Sequence, residues 1–340
     1  MTRLKGLYIL NPGDFEKIYG PDERRDIANL VDIVAPVQSR ENISENWGLL
    51  KDVEVIFSGW GGPRLDEKFL DAAPNLKVVF YGAGSASVIV TEASWNRGVQ
   101  VTTSYAANAI PVAEYTLAMI IFGLKHGFLS SQKLRHEKTY TQPRYVPGCY
   151  KSTVGLISIG MIAKVLIELL RPFDFNIIAY DPFMPQGAAS EFGIELVSLE
   201  EIFRRSDVVS LHTPWLKETE NMITGAHFSS MKEGATFINT ARGAVVNQPE
   251  MLEVVAKRPD LQFFLDVVHP EPPENNHPLY LLPNILFTPH IAGSLCNECH
   301  RMGRYMVDEL QLFLAGKPLK WLVTRELAAT SSHRPPCMKI

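Results

Sequence analysis

The sequence predicts an α/β protein built of two doubly wound, parallel-sheet domains. Three observations carry that reading. The first hundred residues alternate short apolar runs with helical patterns. A second series of the same kind starts at Thr153 and continues through six apolar runs. At the head of this second series a buried-strand pattern runs into Gly160 and then a helix, and Asp181 follows about twenty residues later at the end of the next run.

In the first series the expected strands cover 6–10, 53–57, 77–81 and 99–102, and the expected helices 22–30, 44–50 and 66–72. A long apolar helix is expected over 111–125, with Pro111 in its first turn, where a missing N–H costs nothing. Residues 135–150 are polar and proline-containing and read as a loop or arm. In the second series the expected strands are 154–157, 176–179, 208–211, 236–238, 263–265 and 285–287. Helical patterns lie near 161–171, 199–204, 226–231 and 248–257. A last helix is expected over 295–315, with Met302, Met306, Leu310 and Phe313 at helical spacing, returning to the first domain. Residues 328–340 carry no apolar period and read as a disordered tail.

A length of 340 residues suits two domains, and a hydrophobic share of 46% suits ordinary cores. The formal charge of −4 and the lack of basic runs argue against a nucleic-acid partner. The longest apolar run, 115–124, is too short to span a bilayer. The apolar stretch near the start is too short for a signal sequence and reads as a strand, so a soluble cytoplasmic protein with no membrane partner is expected. The 4 cysteines do not make a disulfide framework in a chain this long. Cys296-Asn-Glu-Cys299-His300 matches the c-type haem attachment pattern, but that attachment requires export. On a helix Cys296, Cys299 and His300 would share one face, with no fourth ligand in sight, so no metal is expected. The sequon Asn42-Ile43-Ser44 is expected to be silent.

Two groups of residues carry chemistry. The turn Ser158-Ile159-Gly160-Met161-Ile162-Ala163 aligns with the dinucleotide fingerprint G-x-G-x-x-G/A. Only its central glycine survives, the one that lets backbone approach a pyrophosphate. Asp181 stands where a ribose-binding acid belongs, which favours NAD over NADP. The second group is Arg242, Glu271 and His290. A guanidinium can clamp a carboxylate, and an acid can tune an imidazole as proton donor; reduction of a 2-oxo acid needs both.

With these residues in view, the chain resembles the D-isomer-specific 2-hydroxy-acid dehydrogenases over roughly 5–327. The pieces come in family order: Gly82-Ala83-Gly84, Asn108 with Pro111-Val112-Ala113-Glu114, and the glycine turn with Asp181. Then follow Ser206 to Pro214, Asn239-Thr240-Ala241-Arg242-Gly243, Leu265-Asp266-Val267, Glu271-Pro272, and Thr288 to Gly293. The resemblance implies a Rossmann NAD-binding domain, 102–293, inserted in a flavodoxin-like substrate domain, 1–101 and 294–327. It implies that Arg242 binds the substrate carboxylate and that backbone N–H groups of Gly82, Ala83, Gly84 and Ser85 share it. His290 would donate the proton, and Glu271 would hold its other nitrogen and favour its charged form. Cofactor contacts are implied for Ser158, Gly160, Met161, Ile162, Asp181, His212, Thr213, Pro214, Thr240, Ala241 and Asp266, the last toward the nicotinamide carboxamide. A homodimer through the NAD-binding domain is implied as well. The segments Gly59-Trp60-Gly61-Gly62-Pro63 and Pro214-Trp215-Leu216 are similar to one subgroup of the family.

The loop departs from the family after Gly84, with Ser85-Ala86-Ser87-Val88 in place of a valine and acids. The expected activity is interconversion of a small 2-oxo acid and its D-2-hydroxy acid with NADH. Two alternatives stay open: formate or phosphite oxidation, and an NAD-binding corepressor-like protein. Formate dehydrogenases carry a glutamine where Glu271 stands. The chain is expected to lack the regulatory domain of the long-form phosphoglycerate dehydrogenases.

Overall fold

The computed structural model describes residues 3–332 apart from 141 and 144. The chain divides into two compact units. One comprises the described residues up to Asn108 and those from Ser294 on; the other is Ala109–Gly293.

The first unit holds a five-stranded parallel sheet: β1 (Leu4–Ile9), β2 (Val31–Ile33), β3 (Val55–Ser58), β4 (Val78–Tyr81) and β5 (Gln100–Thr103). Their order is β2-β1-β3-β4-β5, the flavodoxin-like winding. Helices cover both faces, so β3 and β4 are buried at every residue and read as unbroken apolar runs. One face packs Leu7, Ile9, Ile56, Phe69 and Val79 together. The other packs Tyr8, Phe57 and Phe80 against Met302, Met306 and Leu310 of helix Glu298–Leu314. That helix thus lies on the first sheet, as its apolar spacing leads one to expect.

The second unit holds a seven-stranded parallel sheet: β6 (Thr153–Ile157), β7 (Asn176–Tyr180), β8 (Glu195–Leu196), β9 (Val208–Leu211), β10 (Thr236–Asn239), β11 (Gln262–Leu265) and β12 (Ile285–Phe287). The order β12-β11-β10-β9-β6-β7-β8 reverses direction between β9 and β6, the Rossmann switch point. In register, Val154 pairs with Ile177 on one side and Val208 on the other. Phenylalanines 203, 228, 237 and 263 fill one side of this sheet, and Leu156, Ala163, Leu166 and Ile238 the other.

Several local expectations need correction. The long helix begins at Tyr105, six residues before Pro111, and runs to Leu124. The missing N–H of Pro111 removes one hydrogen bond without ending the helix, which the apolar residues on either side bury. With 20 residues and a mean hydropathy of 1.5 it has the length and composition of a membrane span, which the expected ten-residue run did not. Half of this apolar stretch is buried, and Ala113, Ile120 and Leu124 lie in the second unit's core. The segment expected as helix 44–50 is two pieces, Arg40–Glu45 and a 3-10 turn Trp47–Leu50, broken at Asn46. The expected arm starts inside helix Gly127–Glu137. The expected tail begins inside helix Arg325–Thr330, capped by Thr324 and anchored by buried Ala328. Residues 333–340 of that tail lie outside the described residues.

Candidate active site

The sequence-selected residues of the second unit cluster by topology. Ser158 to Gly160 follow β6, Asp181 follows β7, and His212 to Pro214 follow β9. Thr240 to Arg242 follow β10, Asp266 and Glu271 follow β11, and Thr288 to His290 follow β12. All stand at the carboxyl ends of parallel strands, the edge where open α/β sheets bind ligands.

The best-defined contact is between His290 and Glu271. Imidazole Nδ1 lies 2.6 Å from Glu271 Oε1, with the two side chains 42% and 31% exposed. His290 adopts a left-handed backbone, φ 54°, unusual for a residue with a side chain. Asp266 imposes that conformation. Its buried carboxylate accepts the Ile291 N–H at 2.8 Å and the Thr288 hydroxyl at 2.5 Å on one oxygen. The other oxygen accepts the Ala292 N–H at 2.9 Å, and the Asp266 carbonyl accepts the His290 N–H at 3.0 Å. Thr288 also meets the Tyr115 hydroxyl at 2.9 Å. Four groups of Thr288 to Ala292 are therefore tied to one residue at the end of β11.

Arg242 sits in a turn braced by Asn239, whose side chain accepts the Ala241 N–H at 3.0 Å and donates to the Arg242 carbonyl at 3.1 Å. The Arg242 guanidinium donates to the Ala241 carbonyl at 2.5 Å. Gly243 lets this turn pass against the next loop. A Cβ there would lie 2.0 Å from the Val268 carbonyl carbon and 2.5 Å from the His269 nitrogen. Only glycine admits that approach, and it brings the Arg242 turn against the loop that leads from Asp266 to Glu271. Thr240 meets Thr116 of the long helix at 3.2 Å.

The dinucleotide turn is built differently. Ser158, in the place of the first glycine, has φ 71° and so takes the glycine's backbone conformation in spite of its side chain. Its hydroxyl meets Thr213 Oγ1 at 2.8 Å, and its N–H donates to the Tyr180 carbonyl at 2.8 Å. Gly160 precedes helix Met161–Leu170, and no side chain caps that end. The first-turn N–H groups are open to an anion. Asp181 accepts the Ile159 N–H at 2.7 Å and the Phe183 N–H at 2.8 Å, which fixes its carboxylate beside the turn. His212 is buried, with Nε2 3.0 Å from Ser210 Oγ and Nδ1 without a partner among the described residues. Burial pushes its pKa down to about 4, so it is neutral at pH 7.

The family sequence model described as "D-isomer specific 2-hydroxyacid dehydrogenase, NAD binding domain" matches residues 117–292, more than half of the chain. The chain belongs to that family. Among its relatives, the YoaD protein of Bacillus subtilis, itself only provisionally described as a 2-hydroxyacid dehydrogenase, is 35% identical over 81% of this chain and 79% of its own length. A D-3-phosphoglycerate dehydrogenase of Archaeoglobus fulgidus is 27% identical over 76% of this chain and 49% of its own. The chain thus spans about half the length of the phosphoglycerate dehydrogenases it matches. A phosphoglycerate oxidoreductase of Rhizobium etli shares the fold, with a TM-score of 0.80 at 23% identity over 95% of this chain and 99% of its own.

In the first unit, the loop that the family resemblance assigns to the substrate carboxylate is narrower than expected. The Gly82 N–H donates to the Ser58 carbonyl at 2.9 Å and the Ala83 N–H to the Tyr81 carbonyl at 2.8 Å. The Ala83 carbonyl accepts the Thr103 and Ser104 hydroxyls at 2.8 and 3.0 Å, and the Gly84 carbonyl also accepts Thr103. Among the described residues this leaves the Gly84 and Ser85 amides without an acceptor. The Ser85 and Ser87 hydroxyls lie 2.9 Å apart, and the Ser332 carbonyl lies 3.3 and 3.0 Å from them, so one hydroxyl donates to this carbonyl and the other to its neighbour or to the carbonyl. Asn239, Thr288 and Tyr115 are positioning residues that the motif reading passed over. The first two lie inside motifs it had quoted.

Proposed function

We propose that this dehydrogenase-family chain reduces a small 2-oxo acid to the D-2-hydroxy acid, with NADH as reductant and His290 as proton donor. The observation that carries the reading is the 2.6 Å pair between His290 Nδ1 and Glu271. A carboxylate on Nδ1 fixes the ring and leaves Nε2 to deliver a proton to the oxygen that becomes alkoxide. Arg242 grips the substrate carboxylate through two parallel hydrogen bonds and draws charge from the carbonyl. Asp266 serves first as the clamp that aims His290.

The cofactor fits the second unit on its own evidence. The uncapped helix after Gly160 offers N–H groups from Met161 and Ile162 to a pyrophosphate, and the space a Cβ at Gly160 would face is open. Asp181 would take ribose hydroxyls and oppose a 2′-phosphate. Thr213, Pro214 and neutral His212 would line the nicotinamide side together with Thr240 and Ala241. When bound, NADH supplies the hydride.

The test is a panel of small 2-oxo acids with NADH and with NADPH, followed at the nicotinamide absorbance. At least one acid should be reduced, and kcat/KM should favour NADH by about 100-fold, because a phosphate beside a carboxylate costs several kcal/mol. Equal values for the two cofactors would remove Asp181 from the account. NADH binding without turnover of any 2-oxo acid would instead favour an NAD-binding protein, and oxidation of formate or phosphite another reaction on this fold.

The protein acts in the cytoplasm as a homodimer formed through its NAD-binding unit. Helix Gly127–Glu137 buries none of its residues in the chain, and Tyr140, Tyr145 and Tyr150 beyond it are 88%, 62% and 69% exposed. A two-fold interface over this region would cover them. Light scattering should give twice the 38.1 kDa of one chain, and a monomer mass at micromolar concentration would contradict the proposal.

A further inference from the structure

The Cys296–Cys299 pair has no part in the reaction above. Both cysteines are free, and they differ in access: Cys296 is exposed and Cys299 is 1% exposed. They bracket the turn that opens helix Glu298–Leu314. The Cys299 N–H donates to the Cys296 carbonyl at 3.1 Å. A hydrogen-bonded turn of this span keeps its end Cα atoms within about 7 Å. Disulfides bridge Cα separations of about 4.4–6.8 Å.

The turn is also braced. The Leu295 N–H donates to the Glu298 carboxylate at 2.9 Å, and the Glu298 N–H donates to the Leu295 carbonyl at 3.0 Å. Cys299 Sγ lies 3.4 Å from the Ser294 carbonyl, so this thiol faces back toward the segment that carries Cys296. Lys17, held charged by Asp14 at 2.8 Å, has both thiols within electrostatic reach. A metal reading fails: among the described residues no three potential ligands gather, and His300 turns its Nε2 to the Glu16 carbonyl at 3.3 Å.

We propose that Cys296 and Cys299 form a reversible thiol–disulfide site, with Cys296 as the attacking thiol and Cys299 as the resolving one. The oxidant is a small organic disulfide. The Cys296 thiolate attacks one of its sulfurs, the S–S bond breaks, and one thiolate leaves with the electron pair. Cys299 gives up its proton and attacks the Cys296 sulfur, expelling the second small thiolate. The two protein thiols are oxidised to one disulfide, and one small disulfide is reduced to two thiols.

The order of attack follows from access and burial. Desolvation pushes the Cys299 pKa up from 9.0 to about 11, so its thiolate fraction at neutral pH is about 100-fold below that of an ordinary cysteine. Cys299 therefore reacts slowly with solutes and readily only with a sulfur held beside it.

The test uses the full chain with Cys149 and Cys337 replaced by serine. It is equilibrated with oxidised and reduced glutathione, alkylated and peptide-mapped. The expected product is a peptide cross-linked between Cys296 and Cys299, reversed by dithiothreitol. In the reduced protein Cys296 should alkylate at least about tenfold faster than Cys299. Cys299→Ser should trap glutathione on Cys296 as a stable mixed disulfide, and Cys296→Ser should leave Cys299 unmodified. Glutathione accumulating on Cys296 of the parent without a cross-link would overturn the proposal. So would alkylation of both thiols at equal rates. If Cys299→Ser does not fold, the peptide map of the parent decides alone.

Discussion

Two histidines follow strand ends of the same sheet, and the chain treats them in opposite ways. His290, after β12, is 42% exposed on its side chain and bonded to a carboxylate at 2.6 Å. His212, after β9, is 8% exposed, with a serine hydroxyl on one nitrogen and no partner for the other among the described residues. One ring is given a counter-charge and access; the other is stripped of water and kept neutral, its pKa pushed down to about 4 by burial. Residue type alone does not separate the two roles. The environment does: one ring meets a carboxylate and solvent, and the other is desolvated, which opposes its charged form. The loops differ in the same sense. The His290 loop is tied to Asp266 by four hydrogen bonds, whereas the His212 loop meets the end of β6 and the dinucleotide turn through the His212 N–H, which donates to the Ile157 carbonyl at 2.9 Å, and the Ser158–Thr213 contact.

A substitution at Asp266 breaks the first side of this contrast. Asp266→Ala leaves the buried Ala292 N–H and the more exposed Ile291 N–H without their acceptor, while the Thr288 hydroxyl keeps Tyr115. At about 1–3 kcal/mol for the one buried donor left unmet, and less for the exposed one, the loss of stability should be about 2 kcal/mol. Denaturant midpoints measure it, and kcat should fall as well, because His290 loses its aim. A stability loss below about 1 kcal/mol would mean that the loop holds itself without Asp266.

The pH dependence of stability sharpens the second side. Above pH 6.5 His212 is neutral in both the folded and the unfolded chain, and its contribution does not change. As the pH falls through the unfolded value, the unfolded chain takes up a proton that the folded chain refuses. Stability then drains away until the pH reaches about 4, by roughly 3 kcal/mol at most. Unfolding titrations between pH 7 and 4 should show this slope in the parent, and it should flatten in His212→Asn. Identical slopes in the two proteins would show that His212 is not held neutral.

Much of the fold was legible because buried parallel strands leave unbroken apolar runs. Val208–Leu211 and Ile285–Phe287 fall where the sequence places them. The strands that escaped notice, Val31–Ile33 and Glu195–Leu196, lie at sheet edges and are too short and too exposed to show a pattern. The expected start of the long helix differs from the observed one because Pro111 suits a first turn, although Ser104, just before Tyr105, is a residue type that marks a helix start. In the candidate site, the Glu271–His290 pair could be read from motif order. The Asp266 clamp could not, since no local pattern says which loop amides a carboxylate at a strand end will take. The same holds for Gly82 and Ala83, whose N–H groups go to backbone carbonyls that only the folded loop brings near.

The central claim is that Glu271 works through His290. A double-mutant cycle on kcat for the preferred 2-oxo acid tests it most directly. His290→Ala should lower kcat by about 10²–10⁴, with NADH affinity nearly unchanged, and Glu271→Gln should lower it by less. In the His290→Ala background, Glu271→Gln should then cost nothing further, because the group it positions is gone. A full and independent loss from Glu271→Gln in that background would contradict the account.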